Sequence, residues 1–485
     1  MDADEALRMV QRIYARLNAR RPEIEKREQY YRGEQPLNFA TAEWKKQNAA
    51  RYAGFSDNWS GPVVNTEAER IRYRGISVPD LPEAGKLLHE DWLRNELDMQ
   101  ASQGVITTLT TGRSFVIVWG DRRTDEPLVT WEHPSNVEIE YDFENSRLRK
   151  AALKTWVDGE TEYATLYEPD AVWKFERPRS AAVNERDSQA AQSRVPYAAE
   201  GGWLPRRAAS DGTWPLVNPM GVVPVVEVQN RPTLKGDPLS EIQGVIPTQD
   251  AINLLWAYLL LAADYASMEA RVVTGTSPPM IPELDKDGKV IGQRPVDMKD
   301  LREKRLLYLS GEAKIDSWKA AALDVFTDTI DVAVGHISSQ TRTPPTYLVS
   351  KVGMSNVNGE GLKASEGPLN EKVEEWWLYA DPSFREINRL IALARGDEKL
   401  ARSVQLAKVN HVPPAMRSDA QIADMLVKKK AIGYPLEYLM ELDGIDPLDV
   451  PRILKMAREE QKAALDFGVE AALSSGEPTV DEPAI

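Results

Sequence analysis

The sequence predicts an α+β protein, mainly helical, with two long central helices flanking a strand-rich insert. Three observations carry this. Apolar residues recur at helical spacing along several segments, most regularly at Leu323, Phe326, Ile330, Val334 and Ile337. Runs rich in β-branched and aromatic residues cluster between Ser114 and Phe175. Between Ser240 and Gly361 the order is helix, insert, helix, Pro-Pro stop and polar loop.

The elements follow in order. Residues 4–32 form a helix, with Leu7, Val10, Tyr14 and Leu17 on one face and Gly33 and Pro36 ending it. Val63 to Arg72, after the Gly61-Pro62 turn, is mixed. Pro82 to Leu97 and Gln100 to Thr111 are helical. Ser114 to Trp119 is a buried strand. Strands at LVTWEH, VEIEYDF, ALKTWV and EYATLY then continue a meandering antiparallel sheet to about Phe175. Arg177 to Trp214 is rich in Ala, Ser and Arg and lacks periodicity, so it reads as a mobile insertion. Order resumes at Asn218-Pro219 with the strand VVPVVEV.

The first long helix, Asp250 to Arg271 with Pro247 near its start, carries Ile252, Leu255, Leu259 and Ala262 on one face. Leu254, Trp256, Tyr258, Leu260 and Leu261 make its other faces apolar too. Such a helix must be surrounded by protein, from this chain or a neighbouring subunit. The insert, Val272 to Trp318, holds Asp287-Gly288 between IPEL and KVIG, a hairpin signal. Leu306 to Leu309 is another strand. The second long helix, Lys319 to Arg342, is stopped by Pro344-Pro345. A polar loop, Thr346 to Gly361, follows. The next helix starts near Glu360 with Leu362, Leu369, Val373 and Trp376 on one face, and Gly367-Pro368 should kink it. Asp381-Pro382 should open a separate helix to Gly396, with Asp as N-cap and Pro at N1. Val404 to Val409 reads as a strand. Ser418 and Gln421 form a capping box ahead of the C-terminal helices. Those are split at Gly433-Tyr434-Pro435 and Asp443-Gly444. The acidic tail from Ser474 has a disordered composition.

Composition narrows the function. The 485 residues exceed one typical core. Hydrophobic residues make up 42% and charged residues 28%, as in soluble globular proteins. A net charge of -15 argues against static gripping of nucleic acid, but not against DNA passing an acidic wall. With no cysteine, disulfide and thiolate chemistry are excluded. No apolar run reaches the roughly 18 residues of a membrane span. The charged, amphipathic start is unlike a signal peptide, so a cytoplasmic site of synthesis is expected.

Motifs for chemistry are sparse. His89, His133, His336 and His411 are scattered without metal-ligand spacing. No phosphate loop or nucleophile elbow is present. Gly359 and Gly361 lack the third glycine of a dinucleotide site. Asp285 and Asp287 lack the remaining ligands of a calcium loop and fit a hairpin turn better. No cofactor is expected. The thirteen tryptophans sit mostly in apolar segments, which suits core and subunit contacts. Asp324, Asp328 and Asp331 share one face of the second long helix. They could be a solvated face, the acid/base or metal site of a hydrolase, or the wall of a shared channel. The loop offers Lys351, Ser355, Asn356 and Asn358, an ordinary polar set or a light contact for phosphates.

A series of short pieces resembles one family in order. They include Tyr30-Tyr31-Arg32-Gly33, Val63-Val64-Asn65 with Glu69-Arg70, Trp92 to Asp98, and Gly112 to Trp119. His133-Pro134, Tyr141-Asp142, NPMGVVPVVEVQNRP at 218–232, Ser240-Glu241-Ile242, Asp250 to Asn253 and Thr343-Pro344-Pro345 continue the series. Together they resemble the portal proteins of tailed bacteriophages, especially those of long-tailed actinobacterial phages. The resemblance implies a portal-type fold in a ring, usually a dodecamer, at one capsid vertex of the virion. Residues 1–240 would be the wing, 241–271 and 319–342 the stem, 272–318 the clip, and 343–360 the tunnel loop. Residues 361–412 would return to the wing, 413–473 would form a helical crown, and 474–485 a tail.

The implied function is passage of double-stranded DNA in packaging and ejection. The implied partners are the terminase large subunit, a head-tail adaptor, capsid and scaffold proteins, and no membrane. The family is not enzymatic. On this reading Lys351, Ser355, Asn356 and Asn358 touch DNA, and Asp324, Asp328 and Asp331 line the channel. Leu255, Trp256, Leu259, Phe326 and Ile330 make subunit contacts. The alternatives are the hydrolase and another head-assembly adaptor.

Overall fold

The structure is a computed structural model of the 485-residue chain. It describes residues 1–38, 41–42, 46, 55–79, 81–121, 126–178, 202–206, 214–266, 271–274, 280–284, 289–295, 306–309, 323–348, 361, 364–415, 419–445 and 448–474.

Helix α1 (Ala3–Arg32) is capped at its start by the Asp2 carboxylate, which accepts from the Glu5 amide at 2.8 Å. Gly33 ends it in the left-handed region, at φ 74°. Then come α2 (Ser60–Ala68), β1 (Tyr73–Ser77), α3 (Pro82–Arg94) and α4 (Leu97–Thr111). Next are β2 (Arg113–Asp121), β3 (Glu126–Glu132), β4 (Val137–Tyr141), β5 (Arg149–Asp158), β6 (Thr161–Tyr167) and β7 (Ala171–Pro178). The short β8 (Leu204–Pro205) and β9 (Leu216–Val217) precede β10 (Val225–Gln229).

These strands make two sheets, not the single meander expected. β10-β2-β3 is one antiparallel sheet, and β4 through β8 form the other, with β9 paired to β7. The break falls where His133 to Asn136 turns, the Asn136 amide donating to the His133 carbonyl at 2.9 Å. Phe115 and Ile117 of the first sheet then pack on Val137, Ile139 and Ala152 of the second. The second sheet also buries Leu153, Leu166 and Phe175 against Ala6, Met9, Val10 and Ile13 of α1. The described part of the 177–214 insertion is docked, which corrects the expectation of a mobile segment throughout. Trp203 is buried beneath the Arg177 guanidinium, 4.3 Å from the ring centroid, and β8 pairs with β7. The rest of it lies outside the described residues.

The central unit holds α5 (Ile246–Ala266), β11 (Arg271–Thr274), β12 (Met280–Leu284), β13 (Val290–Pro295), β14 (Leu306–Leu309), α6 (Asp324–Thr341) and α7 (Pro345–Leu348). β12 and β13 pair antiparallel, as the Asp287-Gly288 signal predicts, although the turn itself lies outside the described residues. β11, which the sequence reading places at the end of the first long helix and the start of the insert, pairs parallel with β14.

Helix α8 (Gly367–Ala394) departs from expectation twice. Gly367-Pro368 opens it rather than kinking it, because Pro in the first turn loses no intrahelical bond. Asp381-Pro382 does not start a new helix: Pro382 sits inside α8. The carbonyl it frees belongs to Leu378, whose side chain is 72% exposed. Trp376, Trp377, Ala380, Phe384, Ile387 and Ile391 bury the opposite face on both sides of it. That continuous burial outweighs a cost of about 3 kcal/mol for an interior proline.

Val404 ends a helix, α9 (Glu398–Val404), instead of starting a strand. Asp397 caps α9 by accepting from the Leu400 amide at 2.8 Å, and Leu400, Ala401 and Val404 are buried in the α8 core. The strand is β15 (Lys408–His411), antiparallel to β1. Helices α10 (Asp419–Ala431), α11 (Leu436–Asp443) and α12 (Val450–Ser474) finish the described chain. Ser418 and residues 475–485 lie outside the described residues. The expected mixed α+β class holds. Among the described residues no helix is long and apolar enough to cross a membrane.

Candidate functional site: the central helix pair and the base of its loop

Helices α5 and α6 pack on each other. Ile252 of α5 meets Ile330, Val334 and Ile337 of α6, with Val63 and Leu348 closing the cluster. Of the residues expected at subunit contacts, Ile330 and Leu259 are covered by this chain, at 4% and 8% exposure. Leu255, Trp256 and Phe326 are half-buried and keep open surface. On the outside of α6, Val325 and Val332 are exposed, which the periodic seam did not mark. Asp324, Asp328 and Asp331 are all exposed. Among the described residues no group of three or more acidic or His side chains could hold a metal ion. Lys351, Ser355, Asn356 and Asn358 lie outside the described residues.

The foot of α5 is tied to the N-terminal region by polar side chains. Gln249 Nε2 donates to the Asp57 carbonyl at 2.5 Å, and its Oε1 accepts from the Trp59 amide at 2.8 Å. Asn253 Oδ1 accepts from the Asp57 amide at 3.0 Å. The Asp57 carboxylate accepts from the indoles of both Trp59 and Trp256, at 3.0 and 2.7 Å. One turn away, the Tyr30 hydroxyl donates to Asp250 Oδ1 at 2.7 Å. Three polar side chains, Gln249, Asp250 and Asn253, on a helix this apolar are explained by these bonds, since buried polar groups need partners.

The loop after α6 is held at its base in two tiers. Arg342 adopts the left-handed conformation, φ 55°, and its amide donates to the Ser338 carbonyl. Ser338 Oγ in turn donates to the Thr343 carbonyl at 2.7 Å. Beneath them, the Lys372 ammonium of α8 contacts Glu67 of α2 at 2.6 Å, Glu241 at 2.6 Å and the Thr341 carbonyl at 3.1 Å. All three charged side chains are at most 5% exposed. Nearer the surface, Arg70 donates to the Tyr347 hydroxyl at 2.8 Å, and that hydroxyl donates to Glu366 at 3.0 Å. Tyr347 lies in the short helix α7 at the start of the loop, and Glu366 follows the loop.

Two carboxylates share one buried ammonium. Burial pushes Glu67 up to about 7, helped by Glu241 and opposed by Lys372. Burial also works against Glu241, but Lys372 and the Asn230 amide hold its pKa below the usual value. For Lys372 burial lowers the pKa, and the two carboxylates more than reverse that.

Sequence reasoning missed this cluster. Glu67, Glu241 and Lys372 each lie more than a hundred residues from one another, and no local pattern joins them. One trace was readable: Lys372 interrupts the apolar stripe of Leu369, Val373 and Trp376. A charge inside a buried stripe calls for a partner.

An apolar helix pair with open flanks, an acidic outer row and a loop clamped at its base fit a protein that packs against further subunits. The chain belongs to the phage portal protein family of the SPP1 Gp6-like type, whose model matches residues 10–463. It is 25% identical over 443 residues to the portal protein of Mycobacterium phage L5, covering 86% of this chain and 81% of that one. The portal protein of Mycobacterium phage D29 is 25% identical over 431 residues, with the same coverage. Among solved structures, a chain of the "Neck of native GTA particle computed with C12 symmetry" matches at 11% identity and a TM-score of 0.38. That match covers 84% of this chain and 94% of the other, and at this score it does not establish a shared fold. The function of the chain is that of its family: a portal of the virion, in a ring at the connection of head and tail through which the genome passes.

Proposed function

We propose that this chain forms a ring of about twelve subunits whose channel is lined by the outer face of α6. Residues 1–240 are the wing, 241–271 and 319–342 the stem, 272–318 the clip, 343–360 the tunnel loop and 413–473 the crown. The observation that carries this reading is the two-sidedness of α6. Ile330, Val334 and Ile337 are buried, while Asp324, Asp328 and Asp331 are all exposed.

Repeated around a closed ring, the row becomes a band of like charge facing the duplex. Such a band repels phosphates and lets DNA slide, and low-dielectric walls strengthen the field. Lys351, with Ser355, Asn356 and Asn358, supplies the passing phosphate contacts. The open parts of Leu255, Trp256 and Phe326, together with Val325 and Val332, meet the neighbouring subunit, because apolar surface left wet is costly. The clip hairpin meets the terminase large subunit during packaging and a head-tail adaptor afterwards. Capsid and scaffold proteins meet the wing. The portal is passive, and the motor's ATPase is a separate chain.

The test is imaging of purified protein, then packaging by variants. Rings of about a dozen subunits with a central hole are expected. Reversing the row (Asp324→Lys, Asp328→Lys, Asp331→Lys) should leave rings intact and cut the fraction of DNA-filled heads. Rings that package normally with the row reversed would exclude it from the channel.

A further inference from the structure

We propose that Lys372 is a positioning residue for DNA passage: its ammonium hangs the end of α6, and with it the start of the following loop, on the wing. The inference rests on the reading of 343–360 as the tunnel loop.

An ammonium has three donors and no acceptor. Lys372 has three oxygen partners from different parts of the chain: it donates to the Thr341 carbonyl in the last turn of α6 and forms ion pairs with Glu67 of α2 and Glu241 in the segment that leads into α5. Lys372 itself belongs to α8. One buried group therefore joins both long helices to the two wing helices that pack beneath them.

The Thr341 carbonyl needs this donor. The last carbonyls of a helix have no intrahelical partner. Arg342 leaves the helix in the left-handed conformation, and Pro344 and Pro345 lack the amides that could serve instead. The negative end of the helix dipole also favours a cation here. Glu241 is itself fixed, accepting from Asn230 Nδ2 at 2.9 Å, with Arg231 at 3.5 Å. The carboxylates are too buried to exchange Lys372 for water, so the exit of α6 moves with α2 and α8 or not at all. The outer tier of Arg70, Tyr347 and Glu366 is more exposed, and the two tiers fix separate points along 341–348.

Lys372→Met alone would leave the buried Glu67 without its cation and Glu241 with Arg231 only, and would weaken folding generally. The discriminating variant is the uncharged triple Glu67→Gln, Glu241→Gln, Lys372→Met, which keeps side-chain size and removes the donor to Thr341. Amide hydrogen exchange is read on peptides spanning 338–348, in the soluble subunit and in rings. DNA-filled heads are counted after complementation of a portal-deficient phage. The triple variant should raise exchange at 338–348 at least tenfold, with α4 and the centre of α8 unchanged, and should lower filled heads at least tenfold. Unchanged exchange at 338–348 would overturn the positioning role. Raised exchange with wild-type numbers of filled heads would instead overturn the tunnel-loop reading beneath it.

Discussion

The bond between Tyr30 and Asp250 offers a test of how the stem is held. Tyr30 ends α1 and is 1% exposed, and Asp250 lies near the start of α5 and is 7% exposed. Their bond is 2.7 Å. The only other donor the described residues give Asp250 is Asn38 Nδ2, at 3.2 Å to one oxygen and 3.3 Å to the other. Tyr30→Phe keeps the ring and its apolar burial and removes only the hydroxyl. A hydrogen bond to a charged group contributes about 1.5–3 kcal/mol, so the substitution should cost about 2 kcal/mol, or roughly thirtyfold in the local opening equilibrium.

Asp250→Asn attacks the same bond from the other side, so the two losses should overlap. A double-mutant cycle should give a coupling of about 1 kcal/mol or more. Hydrogen exchange on peptides from α1 and α5 is the appropriate assay, because a chain of this size does not unfold in two states. Additivity within about 0.3–0.5 kcal/mol would refute the idea that α1 anchors the stem through this pair.

Other outcomes follow from single features of the fold. A Cβ at position 104 would stand 2.0 Å from Trp131 Nε1, whose indole is fixed by its bond to Ser114 Oγ at 2.8 Å, so Gly104→Ala should lower stability by about 1–3 kcal/mol in thermal melts. Pro382→Ala restores an amide inside α8 at an exposed position; set against the entropy that Pro removes from the unfolded chain, it should stabilise by about 1–2 kcal/mol in urea titrations, and a loss would show that α8 needs the break. Glu67 is pushed from its usual 4.5 to about 7, so the folded state holds a proton that the unfolded state releases. Its contribution is therefore full below about pH 4.5 and declines as pH rises toward 7. Glu67→Gln should flatten that part of the stability–pH curve, and an identical curve would contradict the burial of Glu67 beside Glu241.

Local signals in the sequence translated well where one residue dictates the backbone. Gly33 stops α1, Pro344-Pro345 follow the end of α6, and the Asp287-Gly288 signal lies between β12 and β13. They failed where packing overrides propensity. Pro382 should end a helix by its own chemistry, but the buried aromatic face of α8 carries the helix through. Val404 is β-branched, yet Asp397 caps a helix around it. Trp203 lies in a segment without periodicity, and it packs on Tyr14, far away in the chain, and under Arg177 at the segment's own start. The clamp at the loop base was illegible for the same reason. Lys372 stood out only as a charge in an apolar stripe, and nothing local names Glu67 and Glu241 as its partners. The apolar seam of α6 was readable, but the covering of Ile330 by α5 and Val63 rather than by another subunit emerges only from tertiary structure.

The claim that the outer face of α6 lines the DNA channel can be tested with one cysteine. The chain has none, so Asp328→Cys introduces a unique thiol at an exposed position. Its rate of modification by a small maleimide is measured in heads filled with DNA and in heads emptied of it. If the outer face of α6 lines the channel, labelling is fast in empty heads and strongly protected in filled ones. Equal rates in the two states would contradict it.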